Sequence, residues 1–315
     1  MGIKMVSQIL SEEIKPIDWL VKDLIPEKGI TILGGDVGSL KTYFSIYLGL
    51  CCVSGKKVLD IFEAKKIKVL YIDEENRERT IKDRLKKLLK GLNIKEENLQ
   101  MGFLISSGMK LDKIKKGGKL EKMIINFKPN LIIVDSMVRV FDGEENSSSD
   151  VKKIFDKIKP LIEHDTSWLL LHHTRKTNTI KVKDDLRGSS DFGAFADIIL
   201  MINKVEKNAY TLNQPKNRLQ QATEPIKINV VDTNDGGLKI IYSGEGIKKA
   251  SMSINERCAE SIIERIKKEN LKSFKTKDIE KVLDYKHNAI NNGLSFLVIK
   301  GVLKHISKGY WEVIT

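Results

Sequence analysis

The stretch Gly34-Gly35-Asp36-Val37-Gly38-Ser39-Leu40-Lys41-Thr42 constrains this chain more than any other. It lies between an apolar run, Ile30 to Leu33, and an apolar-rich segment of helical character from Tyr43 to Val53. A strand, a glycine-rich turn and then Lys-Thr opening a helix is the layout of a phosphate-binding P-loop. The turn exposes backbone N–H groups, and the helix N-terminus adds the positive end of its dipole. Residues Gly35, Asp36, Val37, Gly38, Ser39, Leu40, Lys41, Thr42 and Tyr43 are the candidate nucleotide-binding set. Lys41 would reach the terminal phosphates of ATP, and the Thr42 hydroxyl would hold Mg²⁺. The strict pattern has glycine directly before the lysine, and here that position is Leu40. Leucine is tolerated there at negative φ, as at a helix start, and not at positive φ. The alternative reading of this stretch alone is a glycine-rich turn before an ordinary helix, so neighbouring motifs must decide.

Leu131-Ile132-Ile133-Val134-Asp135-Ser136 is an apolar strand ending in a carboxylate, the Walker B arrangement, with Asp135 placed to orient the Mg²⁺ shell. Lys68-Val69-Leu70-Tyr71-Ile72 runs into Asp73-Glu74-Glu75, and one of these acids can orient a water in line with the γ-phosphate. Trp168-Leu169-Leu170-Leu171 runs into His172-His173-Thr174-Arg175-Lys176, a third cluster at a strand end and a candidate γ-phosphate sensor.

Further candidate strands are Asp197–Asn203, Ala209–Gln214, Lys227–Val231 and Leu238–Tyr242. The earlier strands are short continuous apolar runs, as in a sheet buried on both faces. Residues 79–92 and 151–163 carry apolar stripes at helical spacing. Alternating strands and helices predict an α/β fold with a mostly parallel doubly wound sheet. The late strands, joined by turns such as Asn234-Asp235-Gly236-Gly237, predict an antiparallel extension at one edge. Residues 1–28 form a lead-in whose apolar patches, Ile17 to Val21 and Leu24 to Pro26, are candidates to pack beside the nucleotide base. The expected division is an ATPase domain over 1–245, a linker over 246–253, and three helices closed by a hairpin over 254–315, a winged helix.

These motifs together resemble the RepA-like branch of RecA-type P-loop ATPases, which includes plasmid and viral replicative hexameric helicases. The resemblance covers roughly residues 15–245 and rests on the P-loop, Tyr71 to Asn76, Asp135-Ser136, His172 to Lys176 and Arg187-Gly188-Ser189-Ser190 through Asp197. It implies a RecA-like fold, with Glu75 as the catalytic base and His173, with His172 close behind, as the sensor. It also implies a homo-oligomer, a ring or a filament with active sites between subunits, and a hexamer as the expected ring. By match, Lys216 and Arg218 after Asn213-Gln214-Pro215 would reach the neighbouring subunit's ATP. The i, i+2 spacing lets both side chains leave an extended strand on one side.

The formal net charge of +13 suits a polyanionic partner. Arg175, Lys176, Lys181, Lys183 and Arg187 lie in a loop that would grip single-stranded DNA at the ring centre. Lys286, His287, Asn288 and Asn291 open the third helix of the C-terminal unit, where duplex could bind, although residues 251–315 carry only about +4. Three cysteines without zinc spacing, no bilayer-length apolar run and no secretory leader predict a cytoplasmic protein without a membrane partner. The leading expectation is an ATP- and Mg²⁺-dependent replicative-type helicase or DNA translocase. An ATP-switched DNA-binding regulator and a recombinase-like accessory ATPase are the alternatives.

Overall fold

The structure, a computed structural model, describes residues 3–143, 147–173, 190–245, 254–283, 285–307 and 309–314. The described residues form two compact units, the first up to residue 245 and the second from residue 254 onward.

In the first unit the order is α1 (Val6–Leu10), β1 (Trp19–Val21), β2 (Ile25–Pro26), β3 (Ile30–Gly35), α2 (Lys41–Ser54), β4 (Val69–Asp73), α3 (Glu78–Leu92) and β5 (Met101–Ile105). After these come α4 (Lys119–Phe127), β6 (Leu131–Asp135), α5 (Ser148–Ile162), β7 (Ser167–His173) and α6 (Ser190–Phe195). Four strands close the unit: β8 (Ile198–Glu206), β9 (Ala209–Asn217), β10 (Ile226–Asp232) and β11 (Leu238–Glu245). Nine strands make one sheet in the order β11-β10-β9-β8-β3-β7-β6-β4-β5. From β8 to β5 neighbours are parallel; from β8 to β11 they are antiparallel.

The period-2 alternation of each strand divides the core in two. Val69, Tyr71, Leu131, Ile133, Leu169 and Leu171 face the side covered by α2 and α3. Leu70, Ile72, Ile132, Val134, Trp168 and Leu170 face the side covered by α4 and α5. With both faces covered, β3, β4 and β6 are buried along their whole length, which is why they read as unbroken apolar runs. The α/β fold with its parallel sheet and antiparallel edge is as the sequence predicts.

Three features differ from the sequence reading. Leu20, Val21, Leu24 and Ile25 form an antiparallel hairpin, β1 with β2, and are fully buried in the first core. These four side chains are spent on the core, while Ile17 and Trp19 of the same patches stay half-buried. Strand β5, which Gly102 and its half-exposed residues disguise, extends the sheet beyond β4. Helix α4 buries only Leu120 and Ile124, too short a stripe to stand out in sequence.

The second unit contains α7 (Ile254–Glu269), β12 (Ser273–Lys275), α8 (Thr276–Glu280), α9 (His287–Ile299), β13 (Leu303–Ser307) and β14 (Tyr310–Val313). Its strands form an antiparallel sheet in the order β12-β14-β13, so a third strand joins the expected hairpin. Ile262, Phe274, Ile279, Ile290, Leu294, Leu297 and Trp311 make its core, and the Trp311 indole donates to Thr276 Oγ1 at 2.8 Å.

Candidate active site

The carboxyl ends of β3, β4, β6 and β7 meet at one edge of the sheet. Register explains why: Asp73 stands opposite Asp135, Gly34 opposite His172 and Gly35 opposite His173. Ligands of open α/β sheets bind outside these ends.

The P-loop runs from the end of β3 to the start of α2. Gly38 takes φ +77°, a left-handed conformation that needs no Cβ. Gly35 has no room for a Cβ, which would stand 2.4 Å from both the Ile202 carbonyl oxygen and Ser39 Oγ. Leu40 is also left-handed, at φ +75° and ψ −3°, so the negative φ that would suit a leucine is not what the loop adopts. The turn from β3 into α2 therefore holds a leucine in the backbone region that glycine adopts most readily. For an L-residue this costs about 1–2 kcal/mol. Leu40 packs its side chain against the first core, and its carbonyl accepts the Phe44 N–H at 2.8 Å. Helix α2 starts without a side-chain cap, leaving its N-terminus to a ligand or to water.

Lys41 is buried and folds its ammonium back onto the loop. Nζ donates to the Gly35 carbonyl at 2.6 Å and the Asp36 carbonyl at 2.8 Å. Burial lowers its pKa to about 8, against the opposing pull of Asp135 and Glu75. Asp135 is buried as well, and burial raises its pKa to about 6, opposed by hydrogen bonds from Thr42 and Tyr71. The Tyr71 hydroxyl, wholly inside the protein, donates to Asp135 Oδ2 at 3.2 Å and shares a 2.8 Å hydrogen bond with Ser45. Tyr71 was not visible as a site residue in the sequence, because it sits within an apolar strand. A buried phenol nevertheless requires a partner.

The acids after β4 take separate places. Asp73 caps its own turn, accepting from the Glu75 N–H at 2.9 Å and the Asn76 N–H at 2.7 Å. Glu74 turns toward the loop after β5 and accepts the N–H groups of Ser107 and Gly108 at 3.0 Å and of Met109 at 3.1 Å. Glu75 faces β7 and pairs with His173 Nε2 at 3.2 Å. That hydrogen bond, above all, holds the Glu75 pKa down at about 2. His172 is buried opposite Gly34, and burial lowers its pKa to about 4. Tyr43 lies beneath the Arg84 guanidinium at 5.1 Å, and Arg84 Nη1 donates to Asn76 Oδ1 at 3.2 Å. Val37 is exposed at the loop tip.

Lys216 lies in β9 and Arg218 follows directly after its end. Both spend their donors within the chain: Lys216 Nζ on the Gly193 carbonyl and Arg218 Nη2 on the Ala194 carbonyl, at the end of α6. Burial lowers the Lys216 pKa, with Arg218 adding to the effect. Arg175, Lys176, Lys181, Lys183 and Arg187 lie outside the described residues. At the start of α9, Lys286, His287 and Asn288 are exposed. His287 is held on both sides, by Glu280 and by Asn291 at 2.8 Å, so an acid sits beside the expected DNA-contacting residues.

Among the described residues no group of three or more His, Cys, Asp and Glu side chains is arranged to hold a metal ion by itself. The donor set at the sheet edge is the Thr42 hydroxyl and the Asp135 carboxylate, hydrogen-bonded to one another. Oxygen donors in this small number suit Mg²⁺, which keeps waters and takes phosphate oxygens rather than a full protein cage. The buried Asp135 carboxylate, close to Asp73 and Glu75, also wants a cation. No helix among the described residues is long and apolar enough to cross a membrane.

A family model described as an AAA domain matches residues 4–179, more than half of the chain. No curated protein matches the chain in sequence. Among solved structures, a KaiC-like protein from the hyperthermophilic archaeon Pyrococcus horikoshii superposes with a TM-score of 0.50 at 13% identity. The match covers 72% of this chain and 100% of that one, and at this identity it speaks to fold.

Proposed function

The chain belongs to the AAA-domain family, and from that premise we propose that this RecA-like P-loop ATPase hydrolyses ATP at the sheet edge and works on DNA as a homo-oligomer. The observation that carries the reading is the meeting of Lys41, Thr42 with Asp135, and Glu75 with His173 at the ends of four neighbouring strands.

The amides of residues 36–42 bind the phosphates at the uncapped start of α2. Lys41 exchanges the Gly35 and Asp36 carbonyls for phosphate oxygens, a stronger charge-assisted bond. Thr42 and Asp135 would hold Mg²⁺, which when bound supplies charge neutralisation at the phosphates. Tyr71 fixes the Asp135 carboxylate from behind. Glu75 accepts a hydrogen bond from the attacking water. While His173 holds it, its low basicity makes it a poor proton acceptor. A γ-phosphate that attracts His173 loosens that pair and raises the basicity of Glu75 at the moment substrate is present. Lys216 and Arg218 act in trans on a neighbour's phosphates, leaving the α6 carbonyls when an interface forms.

The leading role is a helicase or translocase ring, with single-stranded DNA held by residues 175–187. A second reading is favoured by the second unit. Its three helices and three-stranded sheet suit a winged helix, with Lys286, His287, Asn288 and Asn291 toward duplex, so that the ATP state would switch DNA binding. ATP hydrolysis with and without single-stranded DNA, read alongside native mass, separates the two. Strong stimulation on a hexameric mass is expected. A slow, DNA-independent rate on a monomer or dimer would overturn the motor and favour the switch.

A further inference from the structure

The segment from the end of β5 to the start of α4 encloses a cleft of about 350 Å³ that the hydrolysis site does not use. Its floor is apolar, from the buried side chains of Ile114 and Leu120. Its rim is basic, from Lys110, Lys113, Lys115 and Lys119. Residues 110–122 hold six lysines against two acids. Lys110 and Lys113 are anchored by Asp142, on the segment after β6, and Lys110 also reaches the Arg139 carbonyl at 2.9 Å. Among the described residues Lys115 and Lys119 have no ion-pair partner and are exposed.

One wall of the cleft is the backbone of Ser107, Gly108 and Met109, the three residues whose amides grip the Glu74 carboxylate. Glu74 adjoins Glu75, whose carboxylate meets His173. Two consecutive carboxylates thus tie the wall of the cleft to the hydrolysis site, one reaching each way.

We propose that this cleft grips the phosphodiester backbone of single-stranded nucleic acid, and that Glu74 relays its occupancy to Glu75. The inference rests on the reading of the protein as a DNA-acting ATPase. Lys115 and Lys119 on flexible stems recognise phosphate as point charges, without the fixed fork that arginine would bring, while Asp142 holds Lys110 and Lys113 at the rim. The floor has no aromatic ring on which a base could stack, so recognition is of the backbone and blind to sequence. The volume falls at the small end of ligand pockets, room for about one nucleotide unit. The cleft lies at the tip of β5, directly beside the tip of β4 that carries Glu75, so a strand held there sits one sheet position from the chemistry. When the phosphate backbone pulls on the lysine rim, the 107–109 wall moves with it. Glu74 then shifts the short turn on which Glu75 stands.

The test uses the whole chain with a labelled oligothymidine strand. Replacing both unpaired lysines with glutamine, K115Q/K119Q, is expected to flatten the slope of log affinity against log salt by roughly 1.4, two single-strand phosphate contacts. Charge reversal, K115E/K119E, is expected to weaken binding further, by roughly tenfold in affinity at low salt. DNA-independent hydrolysis stays at the wild-type rate in both. Wild-type affinity and slope in both variants would overturn the cleft while leaving the DNA-acting reading standing. A wild-type protein that does not bind the strand at all would overturn that reading and this inference together. Displacement of the strand from the wild type by an equal concentration of inorganic phosphate would mark a free-anion site and also overturn it. Glu74→Gln is expected to keep strand binding and lose stimulation of hydrolysis; full stimulation would overturn the relay.

Discussion

The sheet edge of the first unit and the start of α9 in the second both gather polar groups, but they do so differently. At the sheet edge the partners are remote in sequence: Tyr71 meets Asp135 across 64 residues and Glu75 meets His173 across 98. Lys41 and Asp135 are buried there, with pKa values moved to about 8 and about 6 by burial itself. At α9 the partners are local and exposed: His287 bonds Glu280 seven residues back and Asn291 four residues on. Burying ionisable groups is costly, and a fold keeps such a cluster where chemistry uses it. Local exposed pairs cost little and commit a surface to little. The difference teaches where function should be sensitive and where it should be tolerant.

Substitutions can break or sharpen that contrast. The largest effect is expected for Lys41→Ala, which removes the one buried cation of the P-loop; hydrolysis should fall by at least about 10³-fold, and activity retained in full would dismantle the phosphate site. Arg218→Ala should also abolish most hydrolysis by the proposed homo-oligomer, yet mixing it with Lys41→Ala subunits should restore a part. No recovery on mixing would count against action between subunits. Tyr71→Phe leaves Asp135 without its rear donor. Hydrolysis should drop by roughly tenfold and stability by about 1 kcal/mol, measured by denaturant titration; an unchanged Mg²⁺ dependence would show that the hydroxyl does not orient the carboxylate. Leu40 offers a purely conformational test. Leu40→Gly and Leu40→Ala lose the same packing, but only glycine escapes the left-handed penalty, so the glycine variant should be the more stable by about 1 kcal/mol. The opposite order would mean that Leu40 takes negative φ. Smallest of all, His287→Ala should change stability by no more than about 0.5 kcal/mol.

The contrast also explains what could be read from the sequence. Ile30 to Leu33, Leu131 to Val134 and Trp168 to Leu171 announce buried parallel strands because both of their faces are covered. The glycine loop and the acid at the end of β6 are legible because their chemistry lies at strand ends, where a polar residue interrupts an apolar run. Leu40 was legible as a departure, but not its left-handed backbone, because the same residue letter fits either sign of φ until the turn is seen. Tyr71 looks like one more apolar strand residue until its hydroxyl is placed between Ser45 and Asp135. The division of labour between Glu74 and Glu75 depends on which neighbour each meets, β5's loop or β7, and adjacent identical acids carry no such label. The lead-in hairpin shows the reverse error: apolar patches look the same whether they face a ligand or fill a core.

The measurement that tests the central claim most directly is the fate of ATP bound to Glu75→Gln. The substitution leaves the P-loop, Thr42 and Asp135 intact and removes the carboxylate proposed to orient water. Labelled ATP should bind with Mg²⁺ and be recovered from the protein as ATP, with turnover reduced by about 10²–10⁴-fold. Recovery as ADP at the wild-type rate would contradict the assignment of hydrolysis to the Glu75–His173 pair at the end of the sheet.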